Sequence, residues 1–483
     1  MVPTMVLEYQ KIIVFLLTLF SLFTAGHVVL NKRDPRAGFG WVVTSLMFIG
    51  IGPLLYWVFG TNRIRTHAKK LYRQGLWTHQ TETGIENWGP KLPENGSFDP
   101  GRYSGILKVS ERVNRHPLMA GNKIQILQNG EEAYPAMLEA VSRAEKFIYL
   151  STYIFDSGPT GRAFVKALAE AQSRGVQVWV MVDAFGEHYS HPRISGLLKG
   201  AGIKTARFLP VTFSMNTLHF NLRNHRKILV VDGKTGFTGG MNIRDRHWAA
   251  RPGNKAPVLD THFKIQGPVV LEFQELFLED WFFATRESLP WLAEGTPPMA
   301  GESVCRAISG GPNEDFEKIS WILLGALTWA KKRIQIMTPY FVPDRVMIYA
   351  LNTAALRGVE VEILLPEKNN LPFVGWASRA ILWEMLQNGV KFYYRPPPFA
   401  HSKLFIADED YALIGSSNWD ARSFRLNFEL DLEVYDSTVA KSLSAHFDGV
   451  KLISREVTLD DVNKDPLAVR LRNSFSKLFS PYL

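Results

Sequence analysis

Two short stretches of the chain carry the same reactive and charged residues at the same spacing. Both follow the pattern H-x-K-x4-D-x6-G-[GS]-x-N, with His225, Lys227, Asp232, Gly239, Gly240 and Asn242 in the first copy and His401, Lys403, Asp408, Gly415, Ser416 and Asn418 in the second. The stretches KILVVD and KLFIAD predict strands, and residues two apart on a strand share a face. Each copy therefore offers an imidazole, an ammonium and an amide on one side of a sheet.

This set of groups suits a phosphate diester. One histidine can attack phosphorus and form a covalent phosphohistidine, and the other can protonate the leaving alkoxide. The two lysines and two asparagines can stabilise charge on the equatorial oxygens, a role that a metal fills in many phosphoryl-transfer enzymes. We therefore expect no cofactor and no metal, since lysine is not a usual ligand and each copy has one histidine and one aspartate.

The chain repeats itself around these motifs. AEKFIYLSTYIF (144–155) parallels AKKRIQIMTPYF (330–341), and SRGVQVWVMVD (173–183) parallels LRGVEVEILLP (356–366). Short β-branched runs alternate with amphipathic stretches such as RAFVKALAEAQSRG, a pattern that predicts α/β sandwiches. Repeats of this length indicate two duplicated domains.

Two long uncharged stretches precede the repeat. Residues 12–30 and 38–60 carry no formal charge if His27 is neutral, and about 20 apolar residues suffice to span a bilayer. Trp41, Tyr56 and Trp57 lie near the ends of the second stretch, as interfacial aromatic residues do. A cleaved signal peptide is disfavoured because the basic n-region is nearly absent and no small-x-small site follows. We predict a two-helix transmembrane hairpin.

These patterns predict five segments: the hairpin (1–60), a polar connector (61–117), a first α/β domain (118–290), a second (300–460) and a basic C-terminal tail (461–483). The tail is either a capping helix or a membrane contact. With two spans, the basic residues on the side of the body outnumber those in the hairpin loop by six to three: Lys11, Arg63, Arg65, Lys69, Lys70 and Arg73 against Lys32, Arg33 and Arg36. The positive-inside rule then favours a cytoplasmic body.

The overall charge and the cysteine content set further bounds. The net charge of +9 favours acidic partners such as phosphates, nucleic acid or anionic lipid, without choosing among them. Cys305 is the only cysteine, which excludes an intrachain disulfide and a multi-cysteine metal site.

The paired motifs resemble the HKD signatures of the phospholipase D superfamily, over about residues 120–455. The hairpin, with NKRDPRAGFG and GPLLYWVFG, resembles that of bacterial cardiolipin synthases. The resemblance implies two tandem phospholipase D-like α/β sandwich domains and a pseudo-twofold site in which each half supplies one histidine. It implies His225 as the nucleophile and His401 as the general acid and then base. It also implies a multi-pass protein of the bacterial inner (cytoplasmic) membrane.

Carboxylates complete the predicted site. Each histidine needs a partner on its other ring nitrogen to fix its tautomer, and in the superfamily a downstream carboxylate provides it. The candidates are Asp260, in LDTHFKIQG, and Glu429, in LNFELDLEV. Asp232 and Asp408 belong to the catalytic signature, but we expect them to brace the strand and its loop.

Three readings of the function remain open at the level of sequence. The first is phosphatidyl transfer between two phosphatidylglycerol molecules, giving cardiolipin and glycerol. The second is a hydrolase or another phosphatidyltransferase with the same site; a nuclease is disfavoured by the hairpin, so we expect no nucleic-acid partner. The third is a membrane scaffold that binds anionic lipid, which two intact motifs disfavour.

Overall fold

The computed structural model describes residues 2–32, 35–60, 98–210, 223–312 and 317–483. The chain forms two compact units, an N-terminal helical unit and a main body that contains both motifs. Most of the predicted connector, including the basic residues at 63–73, lies outside the described residues.

The N-terminal unit contains one helix that is long and apolar enough to cross a membrane, over Glu8–Asn31. It belongs to α1 (Val2–Asn31), which is followed by α2 (Pro35–Met47), α3 (Ile51–Leu55) and a π-helical turn (Tyr56–Gly60). The prediction of one continuous second span over 38–60 is wrong. The helix ends at Met47 and Gly50 takes a φ of +84°, in the left-handed region that glycine enters without steric cost.

The broken second segment nevertheless returns alongside α1. The Trp57 Nε1–H donates to Thr24 Oγ1 at 3.0 Å, and the Tyr56 hydroxyl lies 2.8 Å from His27 Nδ1. Polar side chains therefore join the two segments in addition to apolar packing.

The main body has two halves, and 15 of its strands form one sheet whose strand order is nearly the same from either edge. Its first half contains β1 (Met119–Gln128), β2 (Phe147–Thr152), β3 (Gln177–Asp183), β4 (Lys204–Phe208), β5 (Ile228–Val231), β6 (Thr235–Gly239), β7 (Val258–Leu259) and β8 (Thr261–Gln266). The second half contains β9 (Ser303–Gly310), β10 (Arg333–Met337), β11 (Phe341–Val342), β12 (Glu360–Pro366), β13 (Lys391–Arg395), β14 (Phe399–Ala400), β15 (Leu404–Ala407), β16 (Tyr411–Gly415), β17 (Trp419–Asp420), β18 (Glu429–Tyr435) and β19 (Arg455–Val457).

The strand order runs β4-β3-β2-β5-β6-β8-β1 through the first half and β9-β18-β16-β15-β10-β12-β13-β19 through the second. Each strand of one half thus has a counterpart at the same distance from the centre, and β19 is an addition at one edge. The halves are joined where β1 pairs with β9, with Met119 opposite Cys305 and Asn122 opposite Ser303. They share one sheet, and the body is a single compact unit.

Helices cover both faces of this sheet. Those of the body are α4 (Ser104–Val113), α5 (Asn129–Ser142), α6 (Pro159–Ser173), α7 (Ile194–Gly200), α8 (Val270–Thr285), α9 (Lys318–Trp329), α10 (Arg345–Leu356), α11 (Pro372–Arg379), α12 (Leu382–Leu386), α13 (Ala421–Arg425), α14 (Ser437–Leu452), α15 (Leu459–Asn463) and α16 (Leu467–Lys477). The prediction of an α/β fold is confirmed.

The layers follow from alternation along the buried strands. In β2, Ile148 and Leu150 belong to a core with residues of α5, α6 and α7. Tyr149 points to the other face and stacks on Phe277 of α8, with ring centroids 4.7 Å apart. Because successive side chains of a strand point to opposite faces, a strand buried on both sides reads as a continuous apolar run such as FIYL.

The stretch 98–117, expected to be connector, belongs to the body instead. Ile106 and Leu107 of α4 are buried in the core of the second half. Ser110 donates to Glu433 Oε1 at 2.6 Å, and Asn114 Nδ2 donates to the carbonyl of Ala307 at 2.8 Å. This short amphipathic helix was not predicted from the sequence because the residues before it are predominantly polar.

The motif aspartates close the hairpins that follow the two histidines. Asp408 has a φ of +53°, and its carboxylate accepts backbone N–H groups from Lys331, Lys332 and Arg333 at 2.8–2.9 Å. Asp232 has the same φ and accepts from the N–H groups of residues 145–147 at 2.8–2.9 Å. Each aspartate fixes β5 or β15 against the start of its neighbour, the bracing position expected from the sequence.

We predict that Asp408→Ala lowers stability by about 1–3 kcal/mol, since three backbone donors lose a charged acceptor. Glu409→Ala is a matched control, because Glu409 also has a positive φ, +57°, and accepts none of these three bonds. Denaturant unfolding should separate the two variants. A loss of turnover by folded Asp408→Ala as large as that of Lys403→Ala would show that the carboxylate acts on substrate.

Candidate active site

Both motif histidines lie at the edge of the sheet where the parallel strands have their carboxyl ends. β5 runs antiparallel to β2, with Ile228 opposite Ser151, so the residues just before β5 lie beyond the carboxyl end of β2. The second half repeats this, with Leu404 of β15 opposite Met337 of β10. In open α/β sheets this edge is where ligands bind.

Backbone contacts across the halves bring the two motifs to one place. β14 pairs in parallel with β7, so that the His401 N–H donates to the carbonyl of Leu259 at 2.7 Å. In the related position, the His225 N–H donates to the carbonyl of Phe428 at 2.8 Å. Each histidine is therefore hydrogen bonded through its backbone to the residue that directly precedes the carboxylate of the other half.

Each histidine is hydrogen bonded to a carboxylate from the opposite half. His225 Nδ1 lies 2.9 Å from Glu429 Oε2, and His401 Nδ1 lies 2.9 Å from Asp260 Oδ2. Both predicted carboxylates are in place, but the pairing crosses over: neither histidine uses the acid that follows its own motif. A proton on Nδ1, shared with the carboxylate, leaves Nε2 of each ring as the reacting atom.

The two carboxylates have different surroundings. Glu429 also accepts from the hydroxyls of Ser416 at 2.6 Å and Ser423 at 2.9 Å, and from Asn427 Nδ2 at 3.1 Å. Besides His401, Asp260 accepts from the N–H of Thr261 at 2.9 Å. The residue that directly follows β6 or β16 explains part of the difference.

That residue is Gly240 in the first half and Ser416 in the second. A Cβ on Gly240 would lie 2.4 Å from Asp260 Oδ1, so glycine makes room for the short aspartate side chain. Ser416 instead contributes a hydroxyl to Glu429. The G-[GS] position of the motif is therefore matched to the carboxylate of its own half.

Burial and charge shift the pKa values of the acids in opposite directions. Burial raises the pKa of Glu429, against the influence of Lys227. Burial also acts to raise the pKa of Asp260, but the contact with His401 and the charge of Lys403 outweigh it and hold that pKa below its usual range. Asp260 is consequently ionised under all ordinary conditions.

Both imidazoles are held in their neutral form in the absence of substrate. Burial lowers the pKa of His401 to about 4; Lys403 adds to this effect and Asp260 opposes it. Burial lowers the pKa of His225 well below its usual value, and Lys227 and Lys403 lower it further.

The two motif lysines are buried with the histidines. Lys227 Nζ donates to the carbonyl of His225 at 2.6 Å, and Lys403 Nζ donates to the carbonyl of His401. Burial lowers the pKa of Lys227 to about 7 and that of Lys403 to about 8, with Glu429 and Asp260 opposing this effect. Two ammonium groups in one enclosed place provide a strong attraction for a phosphate.

The motif asparagines line the turns that follow β6 and β16. Asn242 Oδ1 accepts from the N–H of Ile154 at 3.0 Å, which leaves its amide nitrogen as the group available to a ligand. Asn418 Nδ2 lies 3.3 Å from Ser423 Oγ, and its Oδ1 is buried without a protein partner. The second asparagine is thus less firmly oriented than the first.

Two tyrosines flank the histidines and were missed as site residues. The ring of Tyr153 lies 5.4 Å from that of His225, and the ring of Tyr340 lies 6.2 Å from that of His401. The signal was present in the sequence, since STYIF and TPYF place these two tyrosines at matching positions of the repeat. Each follows β2 or β10 at the edge that carries the site.

A buried arginine joins the first motif to a helix of its own half and to the second half. Arg226, between His225 and Lys227, bonds Asp280 Oδ1 at 2.7 Å and the carbonyl of Glu429 at 2.9 Å. The corresponding residue of the second motif, Ser402, lies 3.0 Å from the hydroxyl of Thr261. The two motifs therefore differ at this position, with a buried charge in the first and a hydroxyl in the second.

A cavity of about 520 Å³ lies at the same edge, beside β10, β12 and β13. It is lined by Pro339 and Phe341, the neighbours of Tyr340, and by Trp376, Arg379 and Arg472.

Within the residues that the structure describes, no group of three or more His, Cys, Asp or Glu side chains is arranged to hold a metal ion.

Comparisons with known proteins agree on one family. A family model described as "Cardiolipin synthase, PLD-like domain" matches residues 137–281 and 323–451. Cardiolipin synthase A from Pseudomonas putida (strain W619) is 32% identical over 97% of this chain and 97% of its own length. Cardiolipin synthase A from Pseudomonas fluorescens (strain SBW25) is 33% identical over 97% of this chain and 98% of its own.

The fold also has a solved counterpart. The crystal structure of phosphatidylserine synthase from Haemophilus influenzae Rd KW20 superposes with a TM-score of 0.61 at 15% identity, covering 78% of this chain and 100% of that chain. At this identity the likeness concerns the fold alone.

We predict that kcat/KM falls as pH rises through about 7 to 8, because Lys227 and Lys403 lose their charge there. The pKa values of both groups are lowered in the folded protein, so their positive charge is present below this range and lost above it. A pH–rate profile checks this. Lys234→Met, at an exposed lysine in the turn after β5, should leave the profile unchanged, and activity that rises to a plateau above pH 8 would contradict the proposed role of the lysines.

Proposed function

The chain belongs to the cardiolipin synthase family of phospholipase D-like proteins, and on this premise we propose that it transfers a phosphatidyl group between two phosphatidylglycerol molecules. The products are cardiolipin and glycerol. One observation carries the proposal at the level of residues: His225 and His401 are each hydrogen bonded through Nδ1 to a carboxylate of the opposite half. Two oriented imidazoles at one site can attack and protonate the same phosphodiester.

In the first step Nε2 of His225 attacks the phosphorus of the donor lipid. The bond between phosphorus and the glycerol headgroup oxygen breaks, and the leaving alkoxide takes a proton from Nε2 of His401. His401 acquires this second proton when the anionic lipid enters the site, because the phosphate and ionised Asp260 together stabilise the imidazolium. A phosphatidyl group remains on His225 as a phosphoramidate. The headgroup leaves as glycerol.

In the second step His401 acts as the base, and His225 is the leaving group on the same phosphorus. Neutral His401 accepts the proton of a hydroxyl on the second phosphatidylglycerol, whose oxygen attacks phosphorus. The bond to His225 breaks and cardiolipin is released. By microscopic reversibility the acid of the first step is the base of the second.

The difference between the two carboxylates supports His225 as the nucleophile. Ionised Asp260 favours a protonated His401, because a fixed negative charge stabilises an imidazolium. The pKa of Glu429 is raised by burial, and the pKa of His225 lies well below its usual value. His401 is therefore the ring better suited to carry a proton, and His225 the ring better suited to attack.

Four donors, one lysine and one asparagine from each half, stabilise the negative charge on the transferred phosphate. Lys227 and Lys403 are more than nine-tenths buried, and a charge in a water-poor site acts more strongly than in solvent. Binding the phosphate anion raises the pKa of both lysines, so that substrate itself promotes the charged state that the reaction needs.

We extend the proposal to the position of the enzyme in the cell. One N-terminal helix is long and apolar enough to cross a bilayer, and membrane association brings the site to its lipids. We propose that the broken segment 35–60 completes a hairpin in the bacterial inner membrane, with the body in the cytoplasm.

Cysteine labelling of intact cells tests this topology. A cysteine that replaces Lys32 should react with an impermeant maleimide added from outside, whereas a cysteine that replaces Glu111 of α4 should react only after lysis. Labelling of both positions from the same side would refute the topology.

The product assay decides between transfer and hydrolysis. Purified enzyme in mixed micelles with phosphatidylglycerol and excess chelator should give cardiolipin and glycerol in equal amounts, resolved by mass spectrometry. Phosphatidic acid as the main product would place the chain with hydrolases that use the same site. A control without enzyme corrects for spontaneous hydrolysis.

The two histidines are expected to fail differently. His225→Ala and His401→Ala should each lower turnover by about a thousandfold or more. With donor lipid labelled in its phosphate, a covalent and acid-labile label should form on His401→Ala and not on His225→Ala. Label on His225→Ala alone would exchange the two roles, and full activity in either variant would refute the shared site.

A further inference from the structure

The C-terminal helix α16 turns its apolar side away from the body. Asn473 and Ser476 are buried against the body, whereas Leu467, Leu471, Phe475 and Leu478 are 71%, 62%, 59% and 73% exposed. A helix of a globular protein ordinarily buries its apolar stripe and exposes its polar residues. Here the order is reversed, and the exposed residues repeat at intervals of four, four and three, so they form one stripe.

Basic residues border this stripe on both sides. Positions on a helix advance by about 100° per residue, which places Arg470 and Lys477 along one border and Arg472 along the other. Arg472 is held by the ring of Trp376, 4.5 Å from its guanidinium carbon, and bonds to Asn473 Oδ1 at 2.9 Å. An apolar stripe with cationic borders is the pattern of helices that lie in the interface of a membrane.

The stripe continues onto the loop and helix next to the reaction centre. Phe479 packs on Phe373 of α11 with ring centroids 5.4 Å apart, and Leu371, just before α11, is 48% exposed. We call Leu371, Leu467, Leu471, Phe475, Leu478 and Phe479 the docking face.

A single helix separates this face from a catalytic histidine. Val374 and Ala377, on the inner side of α11, form a small apolar cluster with Val342 against which Tyr340 packs. The Tyr340 ring lies 6.2 Å from that of His401. A surface in contact with the docking face is therefore close to the mouth of the site.

We propose that the docking face lies on an anionic lipid surface, with its apolar side chains in the interfacial layer and its arginines and lysine at the phosphates. The inference goes beyond the proposed function, because it concerns a membrane contact of the body that is separate from the N-terminal helix. It rests on the proposed function only in taking the substrate to be a lipid. Charge complementarity favours a bilayer over a second copy of the chain, since the basic borders of two copies would repel each other.

Spin labels test the contact without turnover. The natural cysteine, Cys305, is fully buried, so Leu471→Cys can be labelled selectively in full-length protein carrying His225→Ala, which keeps the lipid composition constant. Leu452→Cys on α14 is the matched control, a leucine that is 87% exposed and outside the docking face. In vesicles of phosphatidylcholine with phosphatidylglycerol, the ratio of oxygen to water-soluble nickel collisions should be at least about fivefold higher at 471 than at 452.

Three results would overturn the proposal. Equal ratios at the two positions would mean that the face stays in water. Equal contact in vesicles of phosphatidylcholine alone would remove the part assigned to the basic residues. Spin–spin broadening at 471 that disappears on dilution with unlabelled protein would mean that a second copy covers the face.

Kinetics provide an independent readout. For Phe475→Asp, the KM for phosphatidylglycerol in vesicles should rise at least about fivefold more than the KM for a dispersed short-chain phosphatidylglycerol. Leu452→Asp should not separate the two substrates. An equal loss on both by Phe475→Asp would indicate a structural role of Phe475 and refute docking, whereas a wrong substrate class would show itself as inactivity of the unmodified enzyme on both.

Discussion

The proposed reaction centre depends on two hydrogen bonds that cross from one half of the body to the other. His225 is oriented by Glu429, and His401 by Asp260. Each imidazole is useful only if its ring nitrogen points at a shared phosphate, and that direction is set by an acid on the opposite half. Docking of the halves is therefore a condition for the proposed chemistry as well as for stability, and the pairing of β1 with β9, which makes the halves one sheet, contributes to this docking.

The same arrangement allows several charged groups to be buried together. A lone ammonium in an apolar interior is strongly disfavoured, and its pKa falls until it is neutral. The pKa values of Lys227 and Lys403 fall only to about 7 and about 8, because Asp260 and Glu429 oppose the effect of burial. Because these pKa values lie near physiological pH, a bound phosphate supplies the negative charge that favours the protonated form of both lysines. Specificity for an anion follows from this balance, with no metal needed to explain it.

Much of this could be predicted from the sequence, since the repeated motif indicates which residues lie together at the candidate site and the repeated strands indicate the class of fold. Both carboxylates were also found, because a strand-like run with one acid follows each motif. Their crossed pairing could not be predicted, since distance along the chain carries no information on how two halves dock. The helix at 104–113 and the break at Gly50 were missed for a different reason: composition over a long stretch hides a short amphipathic run, and an apolar run does not show where its helix turns.

The pairs Gly240 and Ser416, Arg226 and Ser402, and Asp260 and Glu429 occupy matching positions and differ in chemistry. An enzyme assembled from two identical subunits could not have different residues at matching positions, because a single gene encodes both subunits. Joining the halves in one polypeptide frees each position to mutate alone. The near-symmetry of the sheet therefore indicates a common origin of the two halves, while the residues around the two imidazoles have diverged in a way that a homodimer does not allow.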